Sequence, residues 1–340
     1  MVIISTRDVL LLGGLLAKTS LGQLFTVNCA PLTVFRGDPI VNPGVPSSHV
    51  HAVVGGTRFD VTLSNEQARN ARATTCDKTM DKSNYWQPQL YHQRRDGRFE
   101  LVEMTGITAY YIERACDYAP GRQNCDTAGR PRAPPRGLRM ITGDLNRRDY
   151  DASRIDHRAI SHVCLGNNRP GERPSLPTWK CDKMRTQTFF PSCWNGRDLD
   201  SGDHRSHMAF PAIGDYNNGV CPESHPFAIF SVFTEFFYET GAIKDFNMLA
   251  WAMGDPTGYG LHGDFLNGWT DQDALQSGMH TCTGPRGVQD PKCSFNVGND
   301  GPGHADKQML EVAPPNEEVG FRGPLDRLPG DNPLRGQPIY

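Results

Sequence analysis

What the 340-residue sequence lacks narrows the reading first. No Cys-x-x-Cys pair occurs, which argues against a structural zinc site of thiolates. No Asn-x-Ser/Thr sequon is present, so N-glycosylation is not expected. No apolar run reaches the roughly 20 residues a membrane-spanning helix needs. The glycine-rich stretches have neither the spacing of a dinucleotide fingerprint nor the lysine of a phosphate loop. A basic excess is missing too: 35 Lys and Arg stand against 38 Asp and Glu, a net charge of −3, which opposes nucleic-acid binding. Long amphipathic patterns are scarce, which disfavours a helical fold.

What is present reads as an exported, cross-linked chain. Arg7, a short apolar run over 9–17 and small residues at Ser20 and Gly22 have the layout of a leader cleaved before Gln23. The ten cysteines all lie beyond it, and an even count in an exported chain implies a disulfide framework. Cys116 with Cys125, Cys193 with Cys221 and Cys282 with Cys293 are the natural local pairs; spacing alone does not fix the connectivity. The 35 glycines and 26 prolines are scattered between aromatic and β-branched runs, so they mark turns. Residues 99–112 read as two short strands around Gly106, 227–240 and 246–253 as further strands, and 65–72 as a short helix. The expected fold is mainly β: one large β-sandwich or jelly-roll-like domain over 23–312 with long disulfide-tied loops, after a leader over 1–22 and before a proline-rich arm or tail over 313–340.

Five polar clusters could carry chemistry. His49 and His51 lie two apart, so in a strand both point to one face, a spacing suited to a metal or a polar cleft. Asp81, Asn84, Tyr85, Trp86 and Tyr91 mix aromatic faces with hydroxyl-binding groups, the make-up of a saccharide subsite. Asp203 stands beside His207 in a dense polar loop, where a carboxylate could orient an imidazole. Glu235 and Glu239 sit on one strand face about 13 Å apart, too far to be a glycosidase pair, so a catalytic Glu235 needs a partner such as Asp264. Tyr259, His262, Asp264 and Trp269 fall in a glycine-rich segment that allows close ligand approach.

Together the segments DPIVNPG, SHVH, DKSNYWQPQLY, CWNG with LDSGDHRSHMAFP, CPESHP and GDPTGYGLHGDFLNGW resemble the fungal DUF1996 family of secreted proteins, over about residues 27–283. The resemblance implies export and domain extent, and its context implies carbohydrate; it supplies no established catalytic residues. The sequence therefore gives a secreted, monomeric, carbohydrate-active protein that cleaves a cell-wall or environmental polysaccharide as a hydrolase or lyase, with neither nucleic acid nor membrane as partner. His51, His207, His262, Asp203, Asp264 and Glu235 are the catalytic candidates. His49, Asp81, Asn84, Tyr85, Trp86, Tyr91, Tyr259 and Trp269 are the substrate-binding candidates. No cofactor is expected; if a divalent metal or copper is bound, its ligands would be His51, His207 and His262. A non-catalytic glycan-binding or cell-wall protein and a histidine-ligated metal protein are the alternatives.

Overall fold

The computed structural model describes residues 23–126, 128–166, 171–244, 246–296 and 305–338; the leader over 1–22 lies outside them. Eleven strands make the two main sheets. They are β1 (Leu24–Cys29), β2 (Pro31–Phe35), β3 (His51–Gly55), β4 (Asn84–Pro88), β5 (Met104–Ile112), β6 (Arg139–Gly143), β7 (Ile160–Leu165), β8 (Glu172–Arg173), β9 (Lys183–Phe189), β10 (Ser231–Tyr238) and β11 (His262–Leu266). The first sheet runs β1-β5-β10-β9-β7-β8 and the second β2-β3-β4-β11-β6, with every pairing antiparallel.

The two sheets pack face to face because alternate residues of each are apolar. Phe25, Val27, Ala109, Tyr111, Val232 and Phe236 of the first sheet meet Ala52, Val54, Tyr85, Met140 and Phe265 of the second in one buried core. Several polar groups inside this layer bond across it. Gln87 donates to Thr186 Oγ1 (2.9 Å) and Tyr238 Oη (2.8 Å), and the Tyr85 and Tyr111 hydroxyls lie 2.6 Å apart. The mainly β, sandwich-like architecture is thus the one the sequence led us to expect.

Residues 99–112 differ in detail. Their break falls between Leu101 and Met104, and Gly106 sits inside β5. Gly106 adopts φ 140°, and a Cβ there would lie 2.8 Å from the Cys29 carbonyl oxygen. A glycine at this place lets β1 and β5 approach, next to the register shift opposite Phe237 and Tyr238. The helix expected over 65–72 is confined to Asn65–Arg69 and opens with a capping box between Ser64 and Gln67. A ten-residue helix, Gln272–Thr281, was not anticipated.

All ten cysteines are paired, the three local guesses among them: Cys116–Cys125, Cys193–Cys221 and Cys282–Cys293. Cys29–Cys76 and Cys164–Cys181 complete the set. Among the described residues, no helix is long and apolar enough to cross a membrane.

The second sheet is buried on both faces. Its outer face carries Val53, Trp86, Ile141 and Leu266, which pack with Ile40 of the segment before β3 and with Phe59 and Leu63 of the segment after it into a separate cluster. The polar groups of interest lie under that cover.

Candidate metal centre under the outer cover of the second sheet

Strand register decides which side chains meet. On β3 His51 is opposite Pro88 of β4, and on β11 Asp264 is opposite Trp86. Two residues further along the antiparallel ladder, His262 comes beside Pro88. His51 and His262 therefore flank one proline on the outer face. His49 joins them from the residues leading into β3. The ring centroids are 4.3 Å apart for His49 and His51, 5.0 Å for His49 and His262, and 5.9 Å for His51 and His262. One ring nitrogen from each of the three falls within 4.8 Å of the other two, and all three residues are buried.

The backbone sets two of the tautomers. His51 Nδ1 donates to the Gly37 carbonyl and His262 Nδ1 to the Gly260 carbonyl, each at 3.0 Å. Each ring then keeps a bare lone pair on Nε2. His51 Nε2 is buried with no hydrogen-bond partner. His262 Nε2 lies 3.0 Å from His49 Nε2, so the proton between them belongs to His49; His49 Nδ1 in turn accepts from Ser48 Oγ at 3.0 Å. Burial holds His49 and His51 well below the ordinary imidazole value, reinforced by their histidine neighbours. Burial brings His262 down to about 4, against the opposing effect of its Gly260 bond. At neutral pH all three rings are uncharged; His51 and His262 present a lone pair on Nε2, and His49 would do so with its proton moved to Nδ1, donating to Ser48 Oγ.

A polar seam continues along the same face. Asp264 is buried, its Oδ2 makes no hydrogen bond, and Trp86 Nε1 across the ladder is also unpartnered. Burial pushes the Asp264 carboxyl well up, as does the charge of Asp38, while Arg205 opposes them. Asp38 Oδ1 accepts the amides of Ile40 and Val41, both at 3.0 Å, and its carboxyl is also raised by burial, with His204 and Arg139 acting the other way.

The profile of a domain of unknown function, DUF1996, matches residues 38–269, more than half the chain. The chain belongs to the DUF1996 family. Comparison with curated proteins and with solved structures returns no match. The DUF1996 segment holds all three histidines, Asp264 and both ends of the seam, and it stops short of the C-terminal arm.

The structure redistributes the sequence-based candidates within this DUF1996 segment. His51 and His262 come together, and the third imidazole is His49, assigned above to substrate. His207 is not a ligand of this group: its Nε2 donates to the Arg139 carbonyl at 2.7 Å and its Nδ1 meets Ser201 Oγ at 2.9 Å. Asp203 makes no direct bond to His207 and reaches it only through Ser201; its Oδ1 gathers the amides of Arg205 (3.0 Å) and Ser206 (2.9 Å) and the hydroxyls of Ser201 (2.7 Å) and Ser206 (2.9 Å). Glu235 lies on the outer face of the first sheet, paired with Arg185 at 3.0 Å and with the Tyr110 hydroxyl at 3.0 Å. The core separates it from Asp264, so the two cannot form a glycosidase pair.

The aromatic platform is also corrected. Tyr85, Trp86, Tyr91 and Trp269 have no exposed surface and Tyr259 has little, so none offers a face to a sugar. Asp81 Oδ2 accepts the Tyr85 hydroxyl at 2.8 Å, and Trp269 Nε1 donates to the Tyr111 hydroxyl at 2.8 Å, which makes them one core network. Asn84 bonds the carbonyls of Val54 (3.2 Å) and Gly56 (2.9 Å). The Tyr91 hydroxyl reaches Val319 of the C-terminal arm at 2.7 Å, and Tyr259 stacks on Tyr150. Asp38 was not among the candidates. It lies inside a quoted motif, but only the fold brings it to the seam.

Proposed function

We propose that this chain is a secreted metalloenzyme of the extracellular space, with His49, His51 and His262 as the ligands of one transition-metal ion, zinc before copper. The observation that carries the reading is the convergence of three neutral imidazoles, two of them locked by backbone carbonyls with Nε2 facing the others. Carbonyl-fixed tautomers of this kind accompany metal-ligating histidines. Three nitrogen ligands fill a tetrahedral ion except for one position, the pattern of catalytic rather than structural zinc. A zinc ion held by these three histidines would supply the Lewis acidity that turns a bound water into a nucleophile at neutral pH. Asp264 follows two residues after His262 on the same face of β11 and is the acidic group that would orient such a water.

The reaction we assign is hydrolytic cleavage of a polysaccharide. Five disulfides suit an oxidising extracellular setting, where glycan polymers are abundant substrates.

Metal titration by calorimetry, with metal content measured after dialysis, tests the centre. Wild type is expected to take up one equivalent of zinc. His51→Ala and His262→Ala should each weaken binding by at least about a hundredfold, while His207→Ala should not. Full-strength binding by His262→Ala would sink the assignment. Reducing-end release from neutral and uronate glycans, with and without chelator, tests the reaction; absorbance near 235 nm would mark elimination instead of hydrolysis, and chelator-insensitive release would remove the metal from the chemistry.

A further inference from the structure

The outer face of the first sheet carries a polar row that crosses five strands. Register sets it. Asn28 of β1 is opposite Thr108 of β5, Thr108 is opposite Glu235 of β10, Glu235 is opposite Gln187 of β9, and Gln187 is opposite Ser161 of β7. Residues opposite one another in a ladder share a face. Strands about 4.8 Å apart spread these five side chains over roughly 19 Å.

The row is bonded along its length. Thr108 Oγ1 donates to Asn28 Oδ1 at 2.9 Å. Glu235 is held from two sides, by Arg185 Nη1 at 3.0 Å and by the Tyr110 hydroxyl at 3.0 Å. Arg185 Nη2 donates to Gln187 Oε1. Gln187 Nε2 donates to Ser161 Oγ at 3.2 Å and to Glu172 Oε1 of β8 at 3.1 Å, and Ser161 Oγ donates to that same oxygen at 2.6 Å. Glu235, Gln187 and Ser161 are only 6%, 5% and 7% exposed. Asn28 and Glu172, at the two ends, are exposed, and Thr108, Tyr110 and Arg185 are half-buried.

A sheet face that only meets water has no need to hold a glutamate and a glutamine out of it. Desolvating those groups costs free energy, and so does fixing the long side chains around them. The arrangement yields a rigid line of donors and acceptors, which binds a ligand with little further ordering. Glu172 Oε2 accepts no hydrogen bond among the described residues, and half-buried Tyr110 leaves part of its ring open beside the row. A sugar chain matches both features. Its hydroxyls suit the carboxylate, amide and guanidinium groups, and its C–H faces suit the tyrosine ring. In an extended β-1,4-linked chain each pyranose advances by about one strand spacing. Two carboxylates, Glu235 and Glu172, stand in the row against the single guanidinium of Arg185, so a chain that repeats carboxylates is repelled.

We propose that this row is a second binding site, which holds an extended neutral polysaccharide laid across the strands. It lies on the face of the sandwich away from the histidine centre, so it anchors the polymer and takes no part in the metal chemistry. The contact stands without the metal-centre reading.

Calorimetry on the full chain tests it, with cellopentaose, mannopentaose, the matching disaccharides and pentagalacturonate as probes. One of the neutral pentasaccharides is expected to bind at least about tenfold more tightly than its disaccharide and than pentagalacturonate. Glu172→Ala, at an exposed position on the edge strand β8, should weaken that binding about fivefold, and Asn28→Ala at the other end of the row should do the same. Chelation and His262→Ala should leave it unchanged. No binding of either neutral pentasaccharide, equal affinity for the disaccharide, tighter binding of pentagalacturonate, or full affinity in either row variant would each overturn the proposal. Binding lost in His262→Ala would place the sugar at the histidine centre and overturn it too. A wild type that takes up no zinc but binds the pentasaccharide in this length-dependent way would refute the metal centre alone and leave the row standing.

Discussion

Buried ionisable residues give the protein two opposing responses to pH. His162 is brought down to about 3 by burial, against the opposing effect of the Arg173 and Pro174 backbones, and His262 to about 4. Their unfolded value is about 6.5, so the stability they leave intact above that pH is lost progressively as pH falls from there toward the folded values. Asp77 acts in reverse. Burial raises its carboxyl to about 6 despite its bond from Asn28 Nδ2 at 3.1 Å, and its Oδ1 has no partner. The folded state keeps this proton while the unfolded chain releases it near 4, so stability is lost as pH rises from about 4 through 6 and then levels off. We predict that Asp77→Asn, which keeps an acceptor for Asn28, stabilises the protein at pH 7.5 relative to its effect at pH 4 by about 2–3 kcal/mol. Urea denaturation of both proteins at the two pH values measures this difference. An equal effect at pH 4 and pH 7.5 would show that Asp77 ionises normally in the fold.

At the scale of elements, the 199–207 loop shows how a segment with little apolar content keeps a shape. One carboxylate oxygen of Asp203 accepts four hydrogen bonds, and those bonds hold its carboxyl well below the usual range. Asp203→Ala is expected to speed amide exchange at Arg205 and Ser206 while the β10 amides stay protected; hydrogen exchange read by mass spectrometry or NMR checks it, and unchanged loop protection would mean that the His207 staple suffices alone. How much of this was legible in the sequence depends on which faces are covered. β1 shows a polar–apolar alternation, and its burial follows it residue by residue. β3, β4 and β11 are buried at every position, because the sandwich core lies on one side and the segments 36–50 and 56–63 flanking β3 lie on the other. Alternation vanishes there, and adjacent aromatics such as Tyr85 and Trp86 resemble an exposed platform while they fill two separate interiors. The His49–His51 spacing was readable because it is local. Choosing His262 over His207 needed the β3-β4-β11 register, which no short window contains. The missed helix Gln272–Thr281 did carry a signal, an Asp271 cap followed by buried Leu275 and Met279 four residues apart.

For the whole molecule, the C-terminal arm is the part outside the DUF1996 match that bears most directly on the histidines. Glu317 pairs with Arg36 at 2.8 Å, Val319 accepts from the Tyr91 hydroxyl at 2.7 Å, and Leu325 exchanges backbone bonds with Phe99 at 2.8 Å. Further on, Asn332 Nδ2 bonds the Ser48 carbonyl at 2.8 Å, and Arg335 N bonds the Gly254 carbonyl at 2.7 Å. Ser48 precedes His49 and also bonds its Nδ1, while Gly254 begins the run that leads to His262. The arm therefore fastens two sequence-distant segments that each carry a ligand, and a site loosened by even a small displacement loses affinity. We predict that ending the chain after residue 316 leaves the sandwich folded, since its core draws nothing from beyond Phe295. The truncated protein should lose on the order of 4 kcal/mol of stability, because Val319 and Leu328 no longer bury their side chains. It should also bind zinc about tenfold more weakly. Thermal denaturation and zinc titration of the same preparation separate the two effects. A lower melting temperature with unchanged zinc affinity would show that the arm stabilises the outer face without positioning His49, and that the trio is held by the sheet register and its two carbonyls alone.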